Sequence, residues 1–108
     1  MKSKFLKELH RKTLQNYMDI LILSKLQDGA LSGYDIRSYM HKKYGILVSS
    51  GTVYSLLYSM ERKGYIEGKM TSRKRIYSPT EKEDKDTIKR TDCELQNFLR
   101  KITLLETF

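Results

Sequence analysis

The sequence predicts a mainly α-helical fold with one small β-hairpin: a winged helix-turn-helix followed by a long C-terminal helix suited to dimerisation. Three observations carry this. Two helix starts, at Ser32 and Ser49, are each flanked by an apolar pair at the spacing that clamps the entering chain, Leu31 with Ile36 and Val48 with Val53. After Gly64 the helical spacing gives way to two short strand-like segments around a polar turn. Beyond Thr80 apolar residues recur every seven positions.

Taken in order, residues 4–15 read as helix, with Phe5, Leu6, Leu9 and Leu14 among lysines. Residues 15–27 continue with Met18, Ile20, Leu21, Leu23 and Leu26, as a second helix or as the extension of the first. Asp28-Gly29 ends this stretch, because glycine accepts the left-handed conformation that follows a helix. Ser32 caps the next helix, with Asp35 in its first turn, and Tyr44-Gly45 stops it. Ser49 opens another, in which Val53, Leu56, Leu57 and Met60 fall at i, i+3, i+4 and i+7 before Gly64. Two capped helices so close together have the form of a helix-turn-helix.

The segments 65–70 and 74–78 then form the hairpin around Thr71-Ser72-Arg73, and Pro79 ends its second strand. Thr80-Glu81-Lys82-Glu83 has the pattern of a capping box, with Asp84 adding charge that suits a helix N-terminus. Ile88, Leu95 and Ile102 repeat at seven, as do Thr91, Phe98 and Leu105, offset by three, with Leu99 widening the seam. The chain thus divides into a head, residues 1–79, and a C-terminal helix, residues 80–108.

Composition limits what such a chain does. With 108 residues and 39% apolar content it holds one domain with a lean core, which a second subunit would enlarge. Twenty-one Lys and Arg against 13 Asp and Glu give +8 and favour polyanions, nucleic acid before an acidic membrane surface. The surplus lies entirely before Thr80, since residues 1–79 carry +9 and residues 80–108 carry −1. The apolar run Ile20-Leu21-Ile22-Leu23 is far too short to span a bilayer, and no signal peptide is expected after the first lysines. A lone cysteine, Cys93, fits a reducing, cytoplasmic setting. His10, His41 and Cys93 are too scattered for a metal site, and neither a phosphate-binding glycine loop nor a nucleophile elbow is present. No cofactor and no enzymatic activity are expected.

The residues also resemble a known family. Leu31-Ser32-Gly33-Tyr34-Asp35-Ile36, Val48-Ser49-Ser50-Gly51-Thr52-Val53-Tyr54-Ser55-Leu56-Leu57, Met60-Glu61-Arg62-Lys63-Gly64-Tyr65-Ile66-Glu67 and Arg75-Ile76-Tyr77-Ser78-Pro79-Thr80 are similar to the PadR-type winged-helix transcriptional regulators. The resemblance is dense over residues 18–80. The tail resembles the family's compact branch, with a single dimerisation helix. The resemblance implies a dimeric DNA-binding repressor, nucleoid-associated and often released by a small-molecule effector. One departure is Glu83, where the family usually has glycine; the capping box gives that glutamate a local reason.

On DNA, the helix starting at Ser49 would offer Ser49, Ser50, Gly51, Thr52 and Ser55, with small side chains and a positive dipole end suited to a phosphate or base edge. The same residues also serve simply to start a helix. Tyr34 and Tyr54 read equally as half-buried packing residues or as phosphate contacts. Arg73, Lys74 and Arg75 form the strongest cationic feature, projected by the hairpin. Lys43, late in the preceding helix, adds a backbone contact or merely complements the helix dipole. Only Arg62 is a strong base reader, so phosphate contacts and DNA shape should dominate.

Ile88, Leu95, Phe98, Leu99, Ile102 and Leu105 either fold back on their own domain or pair with a second chain, and pairing is preferred. A two-fold protein would read a pseudo-palindromic operator with half-sites ~34–36 Å apart. The rival readings are a winged helix that binds protein and a sequence-indifferent, chromatin-type DNA binder.

Overall fold

The computed structural model describes residues 3–106. Among the described residues five helices and three strands run in the order α1 (Lys4–Asn16), α2 (Met18–Leu26), β1 (Leu31–Ser32), α3 (Gly33–Tyr44), α4 (Ser50–Arg62), β2 (Ile66–Thr71), β3 (Lys74–Pro79) and α5 (Lys85–Glu106). The fold is mostly helical with a small antiparallel sheet, as the patterning predicts.

The question of one N-terminal helix or two is answered at Tyr17. Its backbone leaves the helical region (φ −114°, ψ 20°) while its N–H still donates to the Thr13 carbonyl at 3.1 Å. The break suits a change of environment. α1 buries Thr13 and Leu14, whereas α2 buries most of its circumference, including Met18, Leu21, Ile22, Leu23 and Leu26. A helix apolar on nearly all sides belongs in the middle of a domain, and α2 lies there, against α5 and β3. Around it gather Ile36 and Met40 of α3, Val53, Leu57 and Met60 of α4, Ile66 of β2 and Tyr77 of β3.

Ser32 accepts from the Asp35 N–H at 3.1 Å while the Asp35 carboxylate accepts from the Ser32 N–H at 3.3 Å, a complete capping box. Gly45 ends α3 at φ 68°, a conformation that favours glycine. Leu31 and Ser32 also pair with Tyr77 and Ile76, making β1 a third strand in the order β1-β3-β2. Two residues are too few to show an alternating pattern, so this strand has no periodic signal. The hairpin pairs Ile66 with Pro79 through Thr71 with Lys74, leaving Ser72 and Arg73 as the turn.

The structure corrects the reading of Thr80. Its hydroxyl donates to the Gly64 carbonyl at 2.5 Å and its N–H to the Tyr65 carbonyl at 3.0 Å, which ties the end of β3 to the turn after α4. No capping box forms there. Asp84 caps α5 instead, accepting from the Thr87 N–H at 3.0 Å, and Glu83 accepts from the Asp84 N–H. The local reason given for Glu83 therefore falls away. The misreading arose because the Gly64 carbonyl, sixteen residues away, competes for the Thr80 hydroxyl.

The heptad seam also divides. Ile88, Leu99 and Ile102 are buried in the single chain and Leu95 is half-buried, because α5 packs across α1 and α2. Phe98 and Leu105 stay about half exposed. A polar chain reinforces the inner face. The buried Ser24 hydroxyl donates to Asp92 at 2.7 Å, Gln96 donates to Asp92 and to the Tyr44 hydroxyl, and Lys89 donates to the Ser24 carbonyl. Burial pushes the Tyr44 hydroxyl up to about 12, so it stays protonated. Helices α2, α3 and α5 are thus joined by hydrogen bonds as well as by apolar contact.

Candidate nucleic-acid interface

The start of α4 is built by Ser49. Its extended backbone (φ −65°, ψ 152°) precedes the helix, and its hydroxyl accepts from the Thr52 N–H at 3.1 Å. The Ser49 and Thr52 hydroxyls also share a hydrogen bond of 2.9 Å, so both side chains are engaged in the cap. Ser50, Gly51 and Ser55 are exposed. The N–H groups of Ser50 and Gly51 precede the first intrahelical acceptors and point out of the helix start, where its dipole is positive. This corner can receive an anion.

The turn into α4 is held from α3. Arg37 donates from Nε to the Val48 carbonyl at 2.7 Å, a tie that the sequence reading did not single out. Local pattern carries no sign of it, since the partner is a backbone oxygen eleven residues on. Beside it lies a shallow hollow bordered by Tyr34, Arg37, Ser38 and His41 of α3 and by Leu47 of the turn. Tyr34 is 71% exposed and Leu47 84% exposed, so both are presented outward rather than packed.

Tyr54 is packed on one side and exposed on the other. A methyl group on Gly33 would meet the Tyr54 ring at 2.5 Å, so the ring lies flush on the α3 backbone, yet half of the residue remains exposed. Tyr58 is also exposed, with the Arg62 guanidinium 5.8 Å from its ring centroid. Together with Glu61, Arg75 and Tyr77 these residues line a groove of about 460 Å³ between α4 and the hairpin. Glu61 thus joins Tyr58 and Arg62 on the candidate surface without having been singled out from sequence.

Three consecutive cations were expected to project from the wing. Arg73 and Lys74 are exposed at the turn. Arg75 lies back along the hairpin, and the space it uses is left by Gly68, whose missing Cβ would stand 2.5 Å from the Arg75 Nε. Its guanidinium reaches Glu61 of α4 with Nη2 to Oε2 at 2.7 Å and Nε to Oε1 at 3.4 Å. That hydrogen-bonded carboxylate holds the Arg75 pKa above the ordinary arginine value. Lys43 sits apart. Its ammonium is 5.6 Å from the ring centroids of both Tyr39 and Tyr44, and Tyr44 meets Gln96, so Lys43 lies on the side of α3 that faces α5.

Among the described residues no group of three or more His, Cys, Asp or Glu is placed to hold a metal, and no helix is long and apolar enough to cross a membrane.

A family model described as the transcriptional regulator PadR-like family matches residues 22–85, more than half of the chain. Comparison with curated proteins finds no match. Among solved structures, the fold is similar to a PadR family transcription regulator from Clostridium difficile, at 25% identity and TM-score 0.65, covering 82% of this chain and 97% of that one. A transcriptional regulator from Clostridium thermocellum is also 25% identical, with TM-score 0.64 and coverage of 85% and 91%. A PadR-like regulator from Bacillus cereus, 23% identical, has the same fold, with TM-score 0.67 over 85% and 96%.

Proposed function

The chain belongs to the transcriptional regulator PadR-like family, and from that premise we propose that it is a homodimeric repressor that grips a pseudo-palindromic operator. In this reading residues 1–79 form the DNA-binding head and residues 80–108 the dimerisation helix. The observation that supports it is that α4, whose start is exposed, packs its later turns against a hairpin whose turn carries the exposed cations Arg73 and Lys74. An amide-rich helix start and a projecting basic turn are what two neighbouring phosphate runs of one duplex require. Ser50, Gly51 and Ser55 would face the groove, with Tyr34 and Tyr54 donating hydroxyls to phosphate. Ser49 and Thr52, occupied by the cap, would act through the helix they start.

Dimerisation rests on the outer face of α5 rather than on the whole seam. Phe98 and Leu105 are exposed there, and Phe5 on the neighbouring α1 is 75% exposed. Large apolar side chains in water favour a second subunit. A small-molecule effector would have a place behind α4, in a hollow of about 530 Å³ floored by Ile20, Leu23, Leu56 and Met60.

The test is a mobility-shift comparison between the DNA upstream of the protein's own gene and random DNA of equal length. Tighter binding to the upstream DNA is expected. Equal affinity on both would favour the sequence-indifferent reading, and no binding to either would favour the protein-binding one.

A further inference from the structure

The Arg75 side chain spends its Nε–Nη2 edge on Glu61, with one short contact of 2.7 Å and one long contact of 3.4 Å. This is the edge by which arginine grips a phosphate with two parallel hydrogen bonds. Glu61 stands in the groove between α4 and the wing, among Tyr54, Tyr58 and Arg62. A phosphate approaching Arg75 would therefore meet a carboxylate already in the seat, and its own charge would be repelled by it. Gly68 makes the arrangement possible, because any Cβ at that position would collide with the guanidinium.

We propose that Glu61 is an internal phosphate mimic that withholds Arg75 from DNA, so that the wing's third cation contributes no counterion release until Glu61 lets it go. Glu61 is then a tuning residue for affinity rather than a contact residue. The inference rests on the DNA-binding reading of this face. The ion pair is only partly shielded, with side-chain exposures of 42% for Arg75 and 24% for Glu61, so the fold does not depend on it. Glu61→Gln keeps the shape and removes the charge, which frees Arg75 for a phosphate.

The experiment is a fluorescence-anisotropy titration of one duplex from 50 to 200 mM salt with the full chain, using wild type, Glu61→Gln, Arg75→Ala and the double variant. Glu61→Gln should bind more tightly and steepen the plot of log K against log[salt] by about 0.9, the value of one added phosphate contact. Its advantage over wild type should therefore grow about 3.5-fold between 200 and 50 mM salt. Arg75→Ala alone should leave the wild-type slope unchanged, and in the double variant it should cancel the gain. Weaker binding by Glu61→Gln, or an unaltered slope, overturns the proposal. So does a shallower slope for Arg75→Ala alone, a readout that stands even if Glu61→Gln fails to fold. Failure of wild type to bind any duplex would instead overturn the DNA-binding reading, and this inference with it.

Discussion

Gly33 shows how closely one atom ties the fold to the proposed interface. It is the first residue of α3, and the Tyr54 ring of α4 occupies the space a Cβ would take. Gly33→Ala therefore sets two effects against each other. At this first helical position alanine gains less than the about 1 kcal/mol it brings over glycine in a helix interior, while crowding a packed contact costs about 1–3 kcal/mol. Tyr54 is half exposed and can swing outward, so the crowding cost should fall at the low end. The expected result is a melting temperature within a few degrees of wild type, with DNA affinity lowered as much as in Tyr54→Ala. Normal affinity in Gly33→Ala would remove the ring's position from the binding account. Residues also mark what the sequence makes legible. Ser32, Ser49, Gly45 and Gly64 announce their roles because caps act within a few residues. The Thr80 bond to Gly64 and the Arg75 pair with Glu61 join positions 16 and 14 apart, beyond the reach of local pattern.

Among the elements, α5 has one buried apolar face and one exposed, which a heptad reading merges into one. Ile88, Leu99 and Ile102 belong to the chain's own core, whereas Phe98 lies on the outer side. Leu99→Ala should cost about 2–5 kcal/mol in denaturant unfolding, as for a buried leucine elsewhere. Phe98→Glu should instead sediment as a monomer at concentrations where wild type is a dimer, with its helical circular dichroism retained. A Phe98→Glu variant that still sediments as a dimer would take that residue out of the interface. Periodicity alone could not separate these faces. It records that a side is apolar, and only the packing of α1 and α2 across α5 decides which apolar residues are already covered. The hairpin was legible for the opposite reason, since Thr71-Ser72-Arg73 is polar and both flanking segments are short. Its register and the added β1 strand came only with the tertiary fold.

At the scale of the whole molecule, the excess positive charge and the described architecture point the same way. The head carries the +9 surplus and the proposed contacts, while the near-neutral C-terminal helix is bound to it through Ser24, Asp92, Gln96 and Tyr44. In the proposed dimer, a hydrogen-bonded junction of this kind would hold the two heads at one separation, as a pair of half-sites requires. In the proposed complex the wing tip meets DNA phosphate. The measurement that tests it most directly is the salt dependence of duplex binding for wild type and Arg73→Ala/Lys74→Ala. Each lost contact should flatten log K against log[salt] by about 0.9, so the pair should flatten it by about 1.8, equally on operator and scrambled DNA. A slope identical to that of wild type would show that the wing does not touch the duplex.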